Sequence, residues 1–232
     1  MTSRTVLITG ANRGIGLEFA RQYAELGWRV IATARNPATE SLGKLIQQYG
    51  GSVSVVPLDV TDDARIRALA HELNGQTLDL LVLNAGVYGQ DNDEFGRVDA
   101  RIWQQTFQVN AIAPLKIMEA FVEHVANSDR KVSGALTRKM GSMTDNRSGG
   151  SYVYRSSKAA LNAAVKSAAI DLRERAITVL ALHPGWVKTD MGGGHALITP
   201  KQSVSGLRHI IDNATLAHSG RFYQYDGAEV PW

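Results

Sequence analysis

The sequence predicts an α/β protein. We expect one doubly wound, mainly parallel sheet of about seven strands, with helices on both faces, forming a single domain over residues 1–232. Three observations carry that expectation. Short apolar, β-branched runs alternate with helical patterns from end to end, and such alternation builds a parallel sheet through right-handed crossovers. A turn with three glycines, Thr9-Gly10-Ala11-Asn12-Arg13-Gly14-Ile15-Gly16, separates the first strand from the first helix. No linker or solenoid-type repeat interrupts the 232 residues, a length suited to one sizeable domain.

Taken in order, Arg4–Ile8 reads as the first strand and Leu17–Tyr23 as the first helix. Trp28–Thr33 is the second strand, followed by a helix from about Pro37 to Tyr49. Ser52–Val56 is a third strand, and Asp62–Leu73 a third helix with Thr61 placed to cap it. Leu78–Leu83 is apolar enough for a strand buried on both faces. A long helical pattern covers roughly Asp99 to Ala126. Lys131–Thr137 and Ile177–Leu182 are further strands, separated by a helix from about Tyr152 to Arg175, and Arg221–Tyr223 is a last short strand.

The glycine turn has a physical use. Glycine lacks a Cβ, so the backbone can turn sharply and a ligand can approach closely. The helix that follows directs unpaired N–H groups and the positive end of its dipole at the turn, an arrangement suited to phosphate. The spacing Gly-x-x-x-Gly-x-Gly is neither the common Gly-x-Gly-x-x-Gly fingerprint nor a P-loop. A plain tight turn is the bland alternative.

Composition excludes several classes. The formal charge is +3 and no basic cluster exceeds two residues, as in Arg138-Lys139, too short to argue for nucleic acid. No cysteine is present, which removes disulfides, thiolate metal sites and thiol nucleophiles. Six histidines show no metal-ligand spacing. No apolar run approaches membrane-spanning length, and Met1-Thr2-Ser3-Arg4 passes into a strand without a signal peptide. The expectation is a cytoplasmic protein with no membrane partner and no metal.

Tyr154-Arg155-Ser156-Ser157-Lys158 places Tyr154 and Lys158 four residues apart, hence on one helix face. An ammonium near a phenol favours the phenolate, and a tyrosine so tuned can exchange a proton with a substrate oxygen near neutral pH. An amphipathic helix with one solvated lysine would show the same spacing.

Together with the glycine turn, these residues make the chain resemble the short-chain dehydrogenase/reductase family, a Rossmann-type fold, over essentially its whole length. The motifs are Thr9–Gly16, Asp59-Val60, Asn84-Ala85-Gly86, Asn110, Tyr154 with Lys158, and Pro184-Gly185-Trp186-Val187-Lys188-Thr189. Met140–Tyr154 and the ending Tyr225–Trp232 resemble the C-factor and carbonyl-reductase branch more narrowly. The resemblance implies an NADP(H)-dependent oxidoreductase interconverting a carbonyl and a secondary alcohol.

It also implies roles by position. Tyr154 would be the general acid for reduction and the base for oxidation, and Lys158 would hold the nicotinamide ribose and tune Tyr154. Asn110 would anchor a water in a proton relay. Gly10, Asn12, Arg13, Gly14, Ile15 and Gly16 would form the phosphate turn. Asp59 and Val60 would meet the adenine, and Asn84, Ala85 and Gly86 the adenine ribose. Pro184, Gly185, Val187 and Thr189 would hold the nicotinamide carboxamide. Family members are often homodimers or homotetramers through their long helices, though this branch includes monomers.

Cofactor choice follows from charge. An Asp or Glu ending the second strand would bond a ribose 2′-hydroxyl and repel a 2′-phosphate. Thr33-Ala34 stand there instead, followed by Arg35, and Arg13 lies in the glycine turn. Two guanidinium groups and no carboxylate favour NADP(H) over NAD(H).

The pattern breaks at one place. The family supplies a serine at the end of the fifth strand, and aligning that strand puts Arg138 there. Counting back from Tyr154 points instead to Ser142; the strand alignment is preferred. Arg138 then either points into the site to stabilise an oxyanion or attract an acidic substrate, turns outward while Thr137 or Ser142 supplies the hydroxyl, or marks a site that binds cofactor but turns over poorly. That last reading gives the alternative function, a nucleotide-binding signalling or regulatory protein. Met191–Ile198 is expected to be the loop that closes over substrate.

Overall fold

The computed structural model describes residues 4–232, so the expectation placed on Met1–Ser3 lies outside the described residues. Seven strands, β1 (Thr5–Thr9), β2 (Arg29–Ala34), β3 (Val53–Pro57), β4 (Leu80–Leu83), β5 (Val132–Leu136), β6 (Thr178–His183) and β7 (Phe222–Gln224), pair in the order β3-β2-β1-β4-β5-β6-β7. Every adjacent pair is parallel. β1 explains the two-sided character: Thr5–Thr9 is wholly buried, with Leu7 packed into one core and Val6 and Ile8 into the other.

Helices α1 (Gly14–Glu25), α2 (Glu40–Tyr49) and α7 (Pro200–Asp212) cover the Val6 face through Phe19, Leu42 and Leu207. Helices α3 (Asp63–Glu72), α5 (Ala113–Ala126) and α6 (Tyr152–Asp171) cover the Leu7 face through Ile66, Phe121 and Leu161. A shorter helix, α4 (Ala100–Phe107), packs against α6. The chain leaves β1 towards β2 and β3, then returns to β4 on the other side. That reversal opens a crevice at the carboxyl ends of β1 and β4, where such sheets bind ligands.

Three local expectations need correction. The cap of α3 is Asp62, whose Oδ1 accepts from Arg65 N at 2.9 Å; Thr61 instead bonds Asp59. The run read as one helix over 99–126 contains a π turn at Gln108–Ile112 between α4 and α5. Pro114 supplies the reason: it has no N–H to give the Asn110 carbonyl, so the α ladder cannot continue there. Helix α7 is an element beyond those expected from the sequence, although Thr199 and Gln202 form a capping box ahead of it and Pro200 occupies its first turn. No helix of the described residues is long and apolar enough to cross a membrane.

Candidate active site

A cavity of about 850 Å³ runs along the carboxyl ends of the strands from β3 to β6. Small-molecule and cofactor sites commonly measure ~300–1,000 Å³.

The glycine turn closes one end. Gly10 and Gly14 have φ of +65° and +55°, left-handed values that suit glycine. At Gly16 space decides: a Cβ there would lie 2.3 Å from the Gly10 carbonyl oxygen and 2.5 Å from Asn84 Nδ2. Gly16 therefore lets α1 close on the turn and does not itself line the cavity. Helix α1 has no side-chain cap and Gly14 and Ile15 line the cavity, which leaves the orphan N–H groups of its first turn for an anion. Asn12 joins this lining.

Asn84 is a brace. Its Nδ2 donates to the carbonyls of Thr9 and Gly10 at 2.9 and 3.0 Å, while Ala85 and Gly86 continue the wall. Asp59 and Val60 lie farther along. Hydrogen bonds from Thr61 N and Oγ1, at 2.9 and 2.8 Å, hold the Asp59 carboxyl below its ordinary range.

Arg13 and Arg35 both line this part. The expectation of two guanidinium groups without a carboxylate needs correcting, because Arg13 Nη1 meets Asp190 Oδ2 at 2.7 Å. Asp190 comes from the loop after β6, and nothing in the local sequence pairs it with a residue 177 positions away. The side chains are 66% and 76% exposed, and pairs of that kind contribute about 0–1 kcal/mol, so a phosphate can displace the carboxylate.

The other end is built on α6. Tyr154 is 3% exposed and stacks on Tyr88 with ring centroids 4.8 Å apart. Lys158 is also buried; its Nζ donates to the Leu136 carbonyl at 2.9 Å and lies 5.9 Å from the Tyr154 ring centroid. Ser151, which precedes α6, has φ +49° and gives the helix no side-chain cap. Buried Asp93 takes that place: its Oδ2 accepts from Val153 N at 2.6 Å. Asp93 fixes the residue before Tyr154, and its role was invisible in the sequence because the two are 60 positions apart.

Asn110 sits in the π turn, fully buried. Its side chain is occupied: Oδ1 accepts from Val87 N at 2.9 Å, and Nδ2 donates to Val87 O and Ser157 Oγ at 2.8 and 3.0 Å. A water anchored here would have to be held by the main-chain carbonyl, the group that Pro114 leaves without its usual donor.

Arg138 points into the site. It lines the cavity where β5 ends, and its Nη1 donates to the Gly185 carbonyl at 2.7 Å. Ser142, the position favoured by counting from Tyr154, faces away: its Oγ donates to the Trp232 carbonyl at 3.2 Å, and it is absent from the lining. Thr137 Oγ1 donates to Asn162 Oδ1 at 2.7 Å. Neither hydroxyl replaces the missing serine.

Electrostatics follow from these positions. Burial raises the Tyr154 phenol above its ordinary pKa, and the Arg138 guanidinium, facing it, pulls the other way. Burial, with Arg138 adding repulsion, lowers Lys158 to about 7. Arg138 thus draws the phenol down in the ligand-free protein, a contribution that the sequence did not assign to it. Burial lowers His183 to about 3, so it is neutral at working pH.

One pH dependence follows. An unfolded lysine titrates near about 10.4, so between about 7 and that value the unfolded chain holds more protons than the fold. Stability of the ligand-free protein should therefore rise as pH increases through this window. In Lys158→Met the rise in thermal midpoint should flatten relative to wild type; identical slopes would show that Lys158 is not the titrating group.

Of the segment expected to hold the carboxamide, Pro184 and Thr189 line the cavity, whereas Gly185 and Val187 do not, and Val187 is fully buried. The loop expected to close over substrate is tied down. Val187 and Ile198 form a parallel bridge, Trp186 Nε1 donates to Gly192 O at 2.7 Å, and Met191 alone of residues 191–198 lines the cavity.

A strand-end cavity, a glycine turn under a helix and a buried Tyr-x-x-x-Lys pair agree with sequence comparison. The short chain dehydrogenase family matches residues 4–196, and the chain belongs to it. It is an oxidoreductase of the kind that acts between CH–OH and carbonyl groups. C-signal of Myxococcus xanthus is 42% identical over 167 residues, covering 72% of this chain and 100% of that protein. The 1-hydroxy-2-glutathionyl-2-methyl-3-butene dehydrogenase of Rhodococcus sp. strain AD45 is 37% identical, covering 98% and 99%. The NADPH-bound carbonyl reductase from chicken fatty liver superposes with a TM-score of 0.91 at 33% identity, with 100% of both chains covered.

Proposed function

We propose that this chain interconverts a carbonyl and a secondary alcohol with NADP(H), using Tyr154 as general acid and base. The observation that carries the reading is the opening of Tyr154 and Lys158 onto the same cavity as the glycine turn. The fit to a dinucleotide rests on the Cβ-free turn and the orphan N–H groups of α1. Support comes also from the NADPH held by the chicken carbonyl reductase. NADPH, when bound, supplies a hydride from its nicotinamide ring to the carbonyl carbon.

The protein's own groups do the rest. The first-turn amides at Gly14 and Ile15 receive the pyrophosphate, with Gly10, Asn12 and Gly16 shaping the turn. Arg13 and Arg35 receive the 2′-phosphate through charge-assisted hydrogen bonds. Asp59 and Val60 flank the adenine, and Ala85 and Gly86 line its ribose while Asn84 braces the turn. Lys158 keeps N–H groups for the nicotinamide ribose. Pro184 and Thr189 receive the carboxamide, with the Gly185 and Val187 backbone between them. Tyr154 gives its proton to the substrate oxygen in reduction and takes it back in oxidation. The Asn110 carbonyl holds the water through which that proton is replaced from solvent.

NADPH oxidation against a panel of aldehydes, ketones and quinones tests the activity. For the cofactor, wild type should bind NADPH more tightly than NADH, and Arg35→Ala should weaken NADPH alone. Equal wild-type affinities, read by quenching of protein fluorescence, would remove the 2′-phosphate argument. Asp190→Ala should tighten NADPH modestly by releasing Arg13.

A second reading, nucleotide binding with little turnover, is favoured by one observation: a guanidinium stands where the family keeps a hydroxyl. The same panel decides between the two. Self-association through the long helices and a cytoplasmic location belong to the first reading and are open to light scattering and fractionation.

A further inference from the structure

Resting on the oxidoreductase reading, we propose that the substrate carries a carboxylate beside its reacting carbonyl and that Arg138 binds it, so that the site interconverts 2-oxo acids and 2-hydroxy acids.

The first ground is uncompensated charge. Arg138 and Lys158 line the same end of the cavity, and among the described residues neither forms an ion pair with a carboxylate. Lys139, next in the chain, is answered by Asp145 at 3.2 Å. Asp226 and Asp145 are felt at His183, behind the site, while the charge felt by both Tyr154 and Lys158 is Arg138. The Arg138 guanidinium, without a counter-charge, leaves room for one anion from outside. The cofactor's phosphates belong at the opposite end, by Gly14 and Arg13.

The second ground is direction. The bond from Nη1 to Gly185 O, at 2.7 Å, holds the guanidinium plane. Gly185 is itself fixed: its φ is +80°, and a Cβ there would meet Ile198 Cδ1 at 2.8 Å and the Tyr225 ring at 2.9 Å. A guanidinium has five donors. With one on Gly185 and the group facing the Tyr154 phenol, the remaining fork lies beside the atom that protonates the reacting oxygen. A serine hydroxyl in that place serves one oxygen, whereas a guanidinium fork matches two oxygens of one carboxylate. Because the phenol must reach the carbonyl oxygen, the carboxylate sits on the adjacent carbon.

The chemistry balances. The hydride forms a C–H bond at C2, the carbonyl π pair moves to oxygen, and the Tyr154 O–H bond breaks to protonate it. The oxo acid is reduced to the hydroxy acid, the nicotinamide is oxidised, and the carboxylate stays ionised.

The test compares phenylpyruvate with its methyl ester as substrates for NADPH oxidation by wild type, Arg138→Lys and Arg138→Ser. Calorimetric titration of both compounds into each protein saturated with NADP+ accompanies it, because no hydride is then available. We expect wild type to favour the acid by about 100-fold or more in kcat/KM, the lysine variant to keep part of that preference, and the serine variant to lose it. Equal turnover of acid and ester by wild type, or an equal loss of both in Arg138→Ser, would overturn the proposal and leave the guanidinium serving only the developing oxyanion. If no carbonyl compound of the panel supports NADPH oxidation by wild type, the oxidoreductase reading fails separately. Calorimetry then decides: acid binding lost in Arg138→Ser upholds the carboxylate site, and no binding to wild type ends it.

Discussion

Tyr154→Phe should lower kcat for carbonyl reduction by roughly 10²–10⁴-fold, with NADPH binding unchanged within a factor of about two. The substitution removes one oxygen and keeps the ring. The ring is what packs: it is buried and stacks on Tyr88 with centroids 4.8 Å apart, and the phenylalanine ring can keep that contact. Lys158 keeps its bond to the Leu136 carbonyl, so the cofactor end is untouched. What disappears is the proton donor at the reacting oxygen, and neither Ser142 nor Thr137 replaces it, since both are engaged elsewhere. Stopped-flow NADPH oxidation beside a fluorescence titration separates the two effects. Turnover unaltered by the change would take Tyr154 out of the mechanism.

Gly16→Ala should be the most damaging single-methyl change to cofactor binding. Its Cβ would fall 2.3 Å from the Gly10 carbonyl oxygen and 2.9 Å from the Gly10 carbonyl carbon. These are backbone atoms of the phosphate turn, so relief must come from moving the turn or lifting the start of α1. Overpacking of this kind costs about 1–3 kcal/mol in stability, and displaced first-turn amides no longer converge on a phosphate. We expect a lowered thermal midpoint and NADPH affinity reduced by about 100-fold. Gly43→Ala is the matched control: the glycine lies in α2 with nothing within 4 Å of an added Cβ, and Ala in a helix interior is favoured by roughly 0.5–1 kcal/mol. A Gly16→Ala protein that binds NADPH like wild type would refute the tight-turn account.

The strands and their mainly parallel sense were legible because the buried strands show as short, largely apolar runs. Leu80–Leu83 and Thr178–His183 are buried along their whole length, and the helices between them fix the parallel sense. The strand-end rule likewise pointed to Gly14, Asp59 and Ala85, and helical spacing to Tyr154 and Lys158; all five line one cavity. Signals that depend on chemistry within four residues were readable but easily passed over. Thr199, Pro200 and Gln202 mark the start of α7, and Pro114 marks the break in the long helix.

What could not be read were contacts between distant loops. Asp190 on Arg13 and Asp93 on Val153 join segments 177 and 60 residues apart, and each arises only once the sheet brings its strand ends together. The same holds for Arg138. Alignment of β5 put it at the serine position, but only the bond to Gly185 shows that it faces inward. The competing count to Ser142 fails because it ignores the short turn at Lys139–Gly141, after which Ser142 faces the Trp232 carbonyl.

Turnover in this protein requires Tyr154 and a nicotinamide to act on one substrate carbonyl across this cavity. The most direct measurement follows deuterium from NADPH labelled at nicotinamide C4 into the product alcohol, using wild type and Tyr154→Phe with whichever carbonyl compound the panel selects. Wild type should deliver the label to the carbinol carbon, and the variant should deliver it at least about 100-fold more slowly while still binding the cofactor. Tight NADPH binding by wild type with no label transferred to any carbonyl, or transfer at the same rate in both proteins, would contradict it.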